Sequence, residues 1–326
     1  MHILFVNKAP IPVVAYGGTE RVIWDLGKSL VRLGHQVSYL VPEGSHCEFA
    51  RVITIRPGLG WHEQVPDGID LVHFQFNPEG ADAMDAPYLV TQHGNSVEAV
   101  ALPRNTVFVS RNHAQRHGST EYVYNGLDWD AYGPVDFSRP RSYFHFLGKA
   151  AWRVKNVRGA IDVATDAGVE LLVMGGDRLN LKRGFRFTWS RRVRFAGMVG
   201  GQQKLDMLNG SRGMIFPVLW HEPFGLAVIE SLYFGCPVFA TPYGALPELV
   251  PKDCGMLSAS RTALAEAVRQ RQFDGQACHR HAVAHFSAEA MAQGYLEKYA
   301  RILDGEVLNP AAPVMATNPK ALPWLR

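Results

Sequence analysis

His221-Glu-Pro-Phe-Gly-Leu-Ala-Val-Ile-Glu230 sets two acids, Glu222 and Glu230, on either side of a Pro-Phe-Gly turn with seven residues between them. The preceding run, Gly213-Met-Ile-Phe-Pro-Val-Leu-Trp220, is short and apolar, as expected of a buried parallel strand. The run that follows, Phe224 to Phe234, is apolar at helical spacing and stops at Gly235. Glu222 is therefore expected on a strand-to-helix loop and Glu230 inside the helix. The first helical turn, at Phe224, Gly225, Leu226 and Ala227, leaves backbone N–H groups without intrahelical acceptors, pointing to the strand ends where a phosphate can dock. Gly225 allows a ligand close to the backbone.

The same strand-turn-helix grammar extends in both directions. Met1-His-Ile-Leu-Phe-Val6 opens as a strand, and the loop ending in Tyr16-Gly17-Gly18-Thr19 leads into a helix with Val22, Ile23, Leu26, Leu30 and Leu33 on one face. Short apolar runs at Gln36–Val41, Val52–Ile55, Asp70–Gln75, Tyr88–Gln92 and Thr106–Val109 read as further strands, with Ser110 as the N-cap of a helix. Alternation of this kind indicates a parallel doubly wound sheet, which binds ligands at the carboxyl ends of its strands. His93 stands at such an end. Tyr132 to Pro140, with Gly133, Pro134 and Pro140, is the linker expected from composition. A second set begins at Ser142-Tyr-Phe-His-Phe-Leu-Gly148, followed by Lys149, Arg153 and Lys155, and continues through Glu170–Met174 and Arg194–Val199.

Taken together, these motifs resemble the retaining GT-B glycosyltransferases, glycosyltransferase family 4 in particular. The two acids match that family's E-x7-E signature, and the match runs on through Glu230-Ser-Leu-Tyr-Phe-Gly-Cys-Pro-Val-Phe-Ala240 to Gly244-Ala-Leu-Pro-Glu-Leu-Val250. Thr120-Glu-Tyr-Val-Tyr-Asn-Gly-Leu-Asp128 resembles the element that closes the family's first domain. The resemblance implies two Rossmann-like domains facing a cleft: residues 1–138 on the acceptor side, residues 139–286 on the nucleotide-sugar side, and a crossing helix with an extended tail at 287–326. It implies that Glu222 contacts the transferred sugar, Glu230 the ribose, and His93 the donor sugar and reaction centre. Lys149 and Lys155 would neutralise the diphosphate. Gly17 and Gly18, Arg153, Met198 and Val199, and the Phe224–Ala227 turn would complete the donor site. Lys149 departs from the family's arginine at that position, and Arg153 is the candidate for the missing planar fork.

The implied donor is a nucleoside diphosphate sugar, the acceptor a hydroxyl on a sugar or lipid-linked glycan, and no metal or cofactor is expected. Asp128-Trp-Asp130 has the D-x-D form of a cation site, but its place after Asn-Gly reads as a solvated turn. The histidines of Cys278-His-Arg-His281-Ala-Val-Ala-His285 read as a solvated helix rather than a zinc site. A G-x-G-x-x-G fingerprint is missing, which disfavours a nicotinamide or flavin cofactor.

Composition sets the outer bounds. With 326 residues, 47% of them hydrophobic and 19% charged, the chain has material for two cores. No apolar run reaches membrane-span length, the start is a strand rather than a leader, and four sparse cysteines suit a reducing compartment. The expectation is a cytoplasmic protein, with peripheral contact at the inner membrane face as a variant of it. Residues 1–138 carry 9 basic and 15 acidic side chains, the remainder 24 and 15, so the second half is the one suited to an anion. Arg178 to Arg194 mixes cations with rings, a composition open to a nucleic acid or an anionic membrane, and reads as a basic helix on the outside of the domain. The rival functions are a nucleotide-sugar epimerase, a non-catalytic nucleotide-sugar-binding protein and, third, nucleic-acid binding, which is not expected.

Overall fold

The computed structural model describes residues 1–12, 17–80, 84–96, 98–181, 185–270, 272–316 and 322–325. The chain divides into two compact units, residues 1–131 with 286–318, and residues 132–285 with 319–326. In chain order the first unit has β1 (His2–Val6), α1 (Gly18–Arg32), β2 (Gln36–Val41), β3 (Arg51–Thr54), β4 (Leu71–Phe74), β5 (Tyr88–Gln92), β6 (Thr106–Phe108) and α2 (Arg111–Arg116). The second has β7 (Tyr143–Leu147), α3 (Val157–Ala167), β8 (Leu171–Met174), β9 (Leu179–Asn180), β10 (Arg186–Phe187), β11 (Val193–Phe195), α4 (Gly201–Asn209) and β12 (Ser211–Phe216). It continues with α5 (Leu226–Tyr233), β13 (Val238–Ala240), α6 (Leu246–Leu249), β14 (Gly255–Leu257), α7 (Arg261–Gln270) and α8 (Gly275–His285). The last helix, α9 (Ala288–Leu303), returns to the first unit.

Each unit is built on a six-stranded parallel sheet, ordered β3-β2-β1-β4-β5-β6 in the first and β11-β8-β7-β12-β13-β14 in the second. Counted within each parallel sheet, both orders are 3-2-1-4-5-6, with the reversal beside the first strand, so the chain carries two Rossmann-like doubly wound domains. The central strands are buried on both faces: Ile3, Leu4, Phe5, Leu71, Val72 and Phe74 in the first, Phe144, Phe146, Val173 and Ile215 in the second. Such strands read as continuous apolar runs, which is why they were visible in the sequence.

Helix α1 lays Val22, Ile23, Leu26 and Leu30 on the first sheet. Gly27 permits its close approach, because a Cβ there would stand 1.9 Å from the Tyr39 hydroxyl. Ser110 caps α2, its side chain accepting from the His113 N–H. Helix α9 is fixed by polar as well as apolar contacts. Tyr299 and Thr91 each hydrogen-bond a ring nitrogen of the buried His73, at 2.7 Å, and Tyr295 lies 2.9 Å from the same threonine hydroxyl. Lys298 and Arg301 clasp Glu121 at 2.7 and 2.9 Å.

Several expectations are corrected here. Tyr132 to Pro140 is not a plain linker: Tyr132 is buried, its hydroxyl donates to Glu230 at 2.7 Å, and the Gly133 carbonyl accepts from Tyr233. Residues 132–138, expected with the first domain, lie with the second unit. Asp128 is not a solvated turn residue, since it is buried and paired with Lys28 at 2.7 Å and Arg32 at 3.2 Å, while Asp130 is exposed. Helix α8 is only partly solvated: Cys278 and Ala282 are buried and His281 bonds the Leu249 carbonyl. Where it is described, Arg178 to Arg194 forms not a helix but the antiparallel pair β9 and β10 with its flanks; Lys182, Arg183 and Gly184 lie outside the described residues. Of the tail, Pro313 and Val314 bond Leu102 and His117 within the first unit, and Leu322 and Leu325 bond Leu219 and Ala259 within the second; residues 317–321 lie outside the described residues.

Candidate active site

In the second unit the expected acids lie where β12 gives way to α5. Pro217 ends the strand, and the chain passes through Trp220 and Glu222 before Gly225, at φ 118°, turns it into the helix. The Glu222 segment is locked against the neighbouring loop: its carbonyl accepts from the Ala245 N–H at 2.9 Å, and it bridges Gly244 in parallel. Only glycine fits at 244, where φ is 67° and a Cβ would stand 2.2 Å from the Glu222 carbonyl oxygen.

The Glu222 carboxylate is buried and fully engaged. Lys155 donates to both oxygens, at 2.9 and 2.7 Å, and the Trp220 indole N–H donates to Oε2 at 2.8 Å. The Lys155 ammonium also sits over the rings of Phe216 and Trp220, at 5.2 and 4.8 Å from their centroids. Its position is set by backbone: Asn156, at φ 53°, caps α3 through the Gly159 N–H and donates to the Pro217 carbonyl, tying the Lys155 turn to the end of β12. A buried carboxylate is tolerated only when paired, and here the pairing is with a charge and a neutral donor together.

Glu230, one turn into α5, forms a second buried pair. Lys204 of α4 lies 2.5 Å from its Oε1, which also accepts from Tyr132, and the lysine stands over the Tyr132 ring at 5.5 Å. Both acids thus accept from a lysine and from an aromatic side chain.

The remaining donor-site candidates are distributed more unevenly. Lys149 follows β7 and lies over the Trp152 ring, 5.2 Å from its centroid, and Arg153 is exposed on the same loop. Leu226 and Ala227 form the first turn of α5, whose amides have no intrahelical acceptor. Phe224 precedes the helix and is buried in the core, so its side chain serves packing. Met198 is exposed and Val199 buried in the turn after β11.

In the first unit, Gly17 is the N-cap of α1 and Gly18 its first residue; Tyr16, quoted with them, lies outside the described residues. His93 follows β5 and bonds the Gln75 side-chain oxygen at 2.9 Å, a contact made possible because β4 and β5 are adjacent and parallel. Burial lowers the His93 pKa to about 4, so the ring is neutral at physiological pH. With Nε2–H directed at Gln75, Nδ1 is the acceptor nitrogen. Among the described residues, no three His, Cys, Asp or Glu side chains converge as a metal site.

Sequence reading missed Lys204, Tyr132, Trp220 and Gln75. Only Lys204 left a signal: it shares the inward face of α4 with Leu208, one turn on, a position where an unpaired lysine is costly.

Comparison with known proteins bears on the same region. Residues 141–271, within the second unit, match the family described as Glycosyl transferases group 1. A GDP-mannose-dependent alpha-(1-6)-phosphatidylinositol dimannoside mannosyltransferase of Mycobacterium tuberculosis is 32% identical over 112 residues, which is 34% of this chain and 29% of the relative. The match therefore spans less than a third of that protein's length. Two solved structures are similar across nearly the whole fold. A glycosyltransferase involved in avilamycin A biosynthesis superposes with a TM-score of 0.73 at 20% identity, covering 94% of this chain and 98% of its own. A sucrose-phosphate synthase from Thermosynechococcus elongatus gives 0.71 at 19% identity, covering 94% and 100%. At these identities the structural likeness establishes the two-domain Rossmann-like fold.

Proposed function

We propose that this chain is a retaining glycosyltransferase that moves a sugar from a nucleoside diphosphate sugar to a hydroxyl acceptor without a metal. The observation that carries this reading is the buried Lys155–Glu222 pair, held by Trp220 at the carboxyl edge of the second sheet beside the start of α5. An ammonium has three donors; Glu222 takes two and one remains for a diphosphate oxygen. Lys149, Arg153 and the first-turn amides of α5 add fixed positive potential where the departing diphosphate gathers charge. Glu230, oriented by Lys204 and Tyr132, supplies an acceptor for ribose hydroxyls. The match to a group 1 family and to a GDP-mannose-dependent relative supports this class of donor.

In the proposed reaction the bond from the anomeric carbon to the phosphate oxygen breaks. The acceptor oxygen attacks from the same face, and its proton passes to the leaving phosphate. In the first unit, neutral His93 offers Nδ1 as a hydrogen-bond acceptor. The test is a binding and turnover screen of the full chain against UDP-, GDP-, ADP-, CDP- and dTDP-sugars, with chelator present, beside Glu222→Ala. One nucleotide series is expected to bind, and its slow hydrolysis to fall by roughly 100-fold or more in the variant. Failure of every series to bind, or a sugar trapped covalently on Glu222, would overturn the reading or its front-face step respectively.

A further inference from the structure

The stretch between β8 and β11 is built inside out. Leu179 and Phe187 are register partners of the β9–β10 ribbon, and therefore project from one face. The alternation Leu179, Leu181, Phe185, Phe187, Trp189 assigns the other three to the same side, and the Phe187 and Trp189 rings meet edge to face at 4.7 Å. All five are exposed: Trp189 at 86%, Leu181 at 72% and Phe185 at 70%, with Leu179 and Phe187 also open. At the described alternate positions Arg178, Asn180 and Thr188 are polar, and it is these that turn inward. Thr188 is buried, Asn180 is half-buried, and Arg178 donates to the carbonyls of Thr188, Ser190 and Val193. A ribbon pinned by its polar face and open on its apolar one departs from the usual arrangement for a protein in water.

Charge identifies what covers that face. From Arg178 to Arg194 the sequence has seven basic residues and no acid, and Arg191, Arg192 and Arg194 are exposed at the foot of the ribbon. An exposed apolar face with aromatic residues, beside the exposed Arg191 and Arg192, fits the interface of an anionic bilayer, where rings sit at headgroup depth and cations at the surface. Nucleic acid is a poorer match, since two of the five apolar side chains are aliphatic and two of the rings are packed edge to face rather than offered as stacking platforms. We infer that the apolar face of the β9–β10 ribbon, with Leu181, Phe185 and Trp189 on its flanks, is a membrane-docking element, which seats the second unit on an anionic lipid surface. The inference is independent of the glycosyl-transfer reading.

The experiment is co-sedimentation of the full chain with vesicles of phosphatidylcholine alone and of phosphatidylcholine mixed with phosphatidylglycerol. The wild type is compared with Leu181→Ser/Phe185→Ser/Trp189→Ser and with Arg191→Gln/Arg192→Gln. The wild type should bind the anionic vesicles and release in high salt. The triple variant should lose binding, and the arginine variant should weaken by roughly 30-fold on anionic vesicles. Unchanged melting temperatures establish that both variants fold, as expected for exposed positions. Absence of wild-type binding, or equal binding by the triple variant, overturns the proposal. So does a DNA or RNA mobility shift, or self-association of the wild type, that the triple variant abolishes without any effect on vesicles.

Discussion

At the scale of single residues, the site depends on neutralising buried carboxylates. Glu222 has one cation, Lys155, at 2.7 Å, and both are largely shielded from water. Lys155→Met leaves a buried carboxylate with only the Trp220 N–H and should cost roughly 3–5 kcal/mol of stability. Adding Glu222→Gln removes the unpaired charge and should restore much of the loss, because an amide still accepts from Trp220 and is far cheaper to bury. Urea unfolding of the two variants and the wild type measures this directly; equal destabilisation by the single and double variants would show that packing of the lysine stem, not charge, dominates. Part of this arrangement was legible beforehand. Glu222 and Glu230 stood out by their spacing around the Pro-Phe-Gly turn, and Lys155 by its match to the phosphate-side loop of the family that the sequence resembles. Lys204 and Tyr132, 26 and 98 positions from the carboxylate they hold, did not, since side-chain pairing between distant segments leaves no periodic trace.

At the scale of elements, the parallel strands were readable because burial on both faces makes them uniformly apolar, and α5 because its apolar positions recur at helical spacing. The β9–β10 ribbon was misread for a physical reason. Arg178, Lys182 and Arg186 recur every four residues, as on a helix, while Leu179, Leu181, Phe185, Phe187 and Trp189 alternate as on a strand. With strands of two residues each, the alternation was too short to decide. Helix α9 was legible as amphipathic, yet its polar anchors were not. Tyr299 lies on its buried face, where His73, on β4, is the partner of its hydroxyl. Tyr299→Phe keeps the ring and removes the hydroxyl, leaving a buried imidazole nitrogen unsatisfied. The expected cost is about 1–3 kcal/mol, read by chemical denaturation; a loss within a few tenths of a kcal/mol would mean that His73 finds another partner.

At the scale of the whole molecule, the buried histidines make stability depend on pH. His73, His93, His113 and His117 in the first unit and His145 in the second are all held below the ordinary histidine value by burial, His93 to about 4 and His145 to about 3. A folded pKa below the unfolded one means that the unfolded chain binds more protons as pH falls through about 6.5, so acidification favours unfolding down to the folded values. Asp25 acts in the opposite sense. Burial raises it to about 6, so the folded chain takes up a proton there between pH 6 and 4 that the unfolded chain does not, which is stabilising. Asp128 and Glu121, lowered in the folded state by their cations against the opposing effect of burial, add acid lability at the bottom of that window. Five histidines outweigh one aspartate, so the midpoint of thermal unfolding should fall continuously from pH 7 to pH 5, before most carboxylates titrate. Asp25→Asn, which removes the one opposing group, should stabilise the protein at pH 7 and steepen the fall. A midpoint that stays level between pH 7 and 5 in both proteins would mean that these histidines are already solvated or protonated in the folded state. In that case a neutral His93, with a lone pair free at Nδ1, would have to be abandoned.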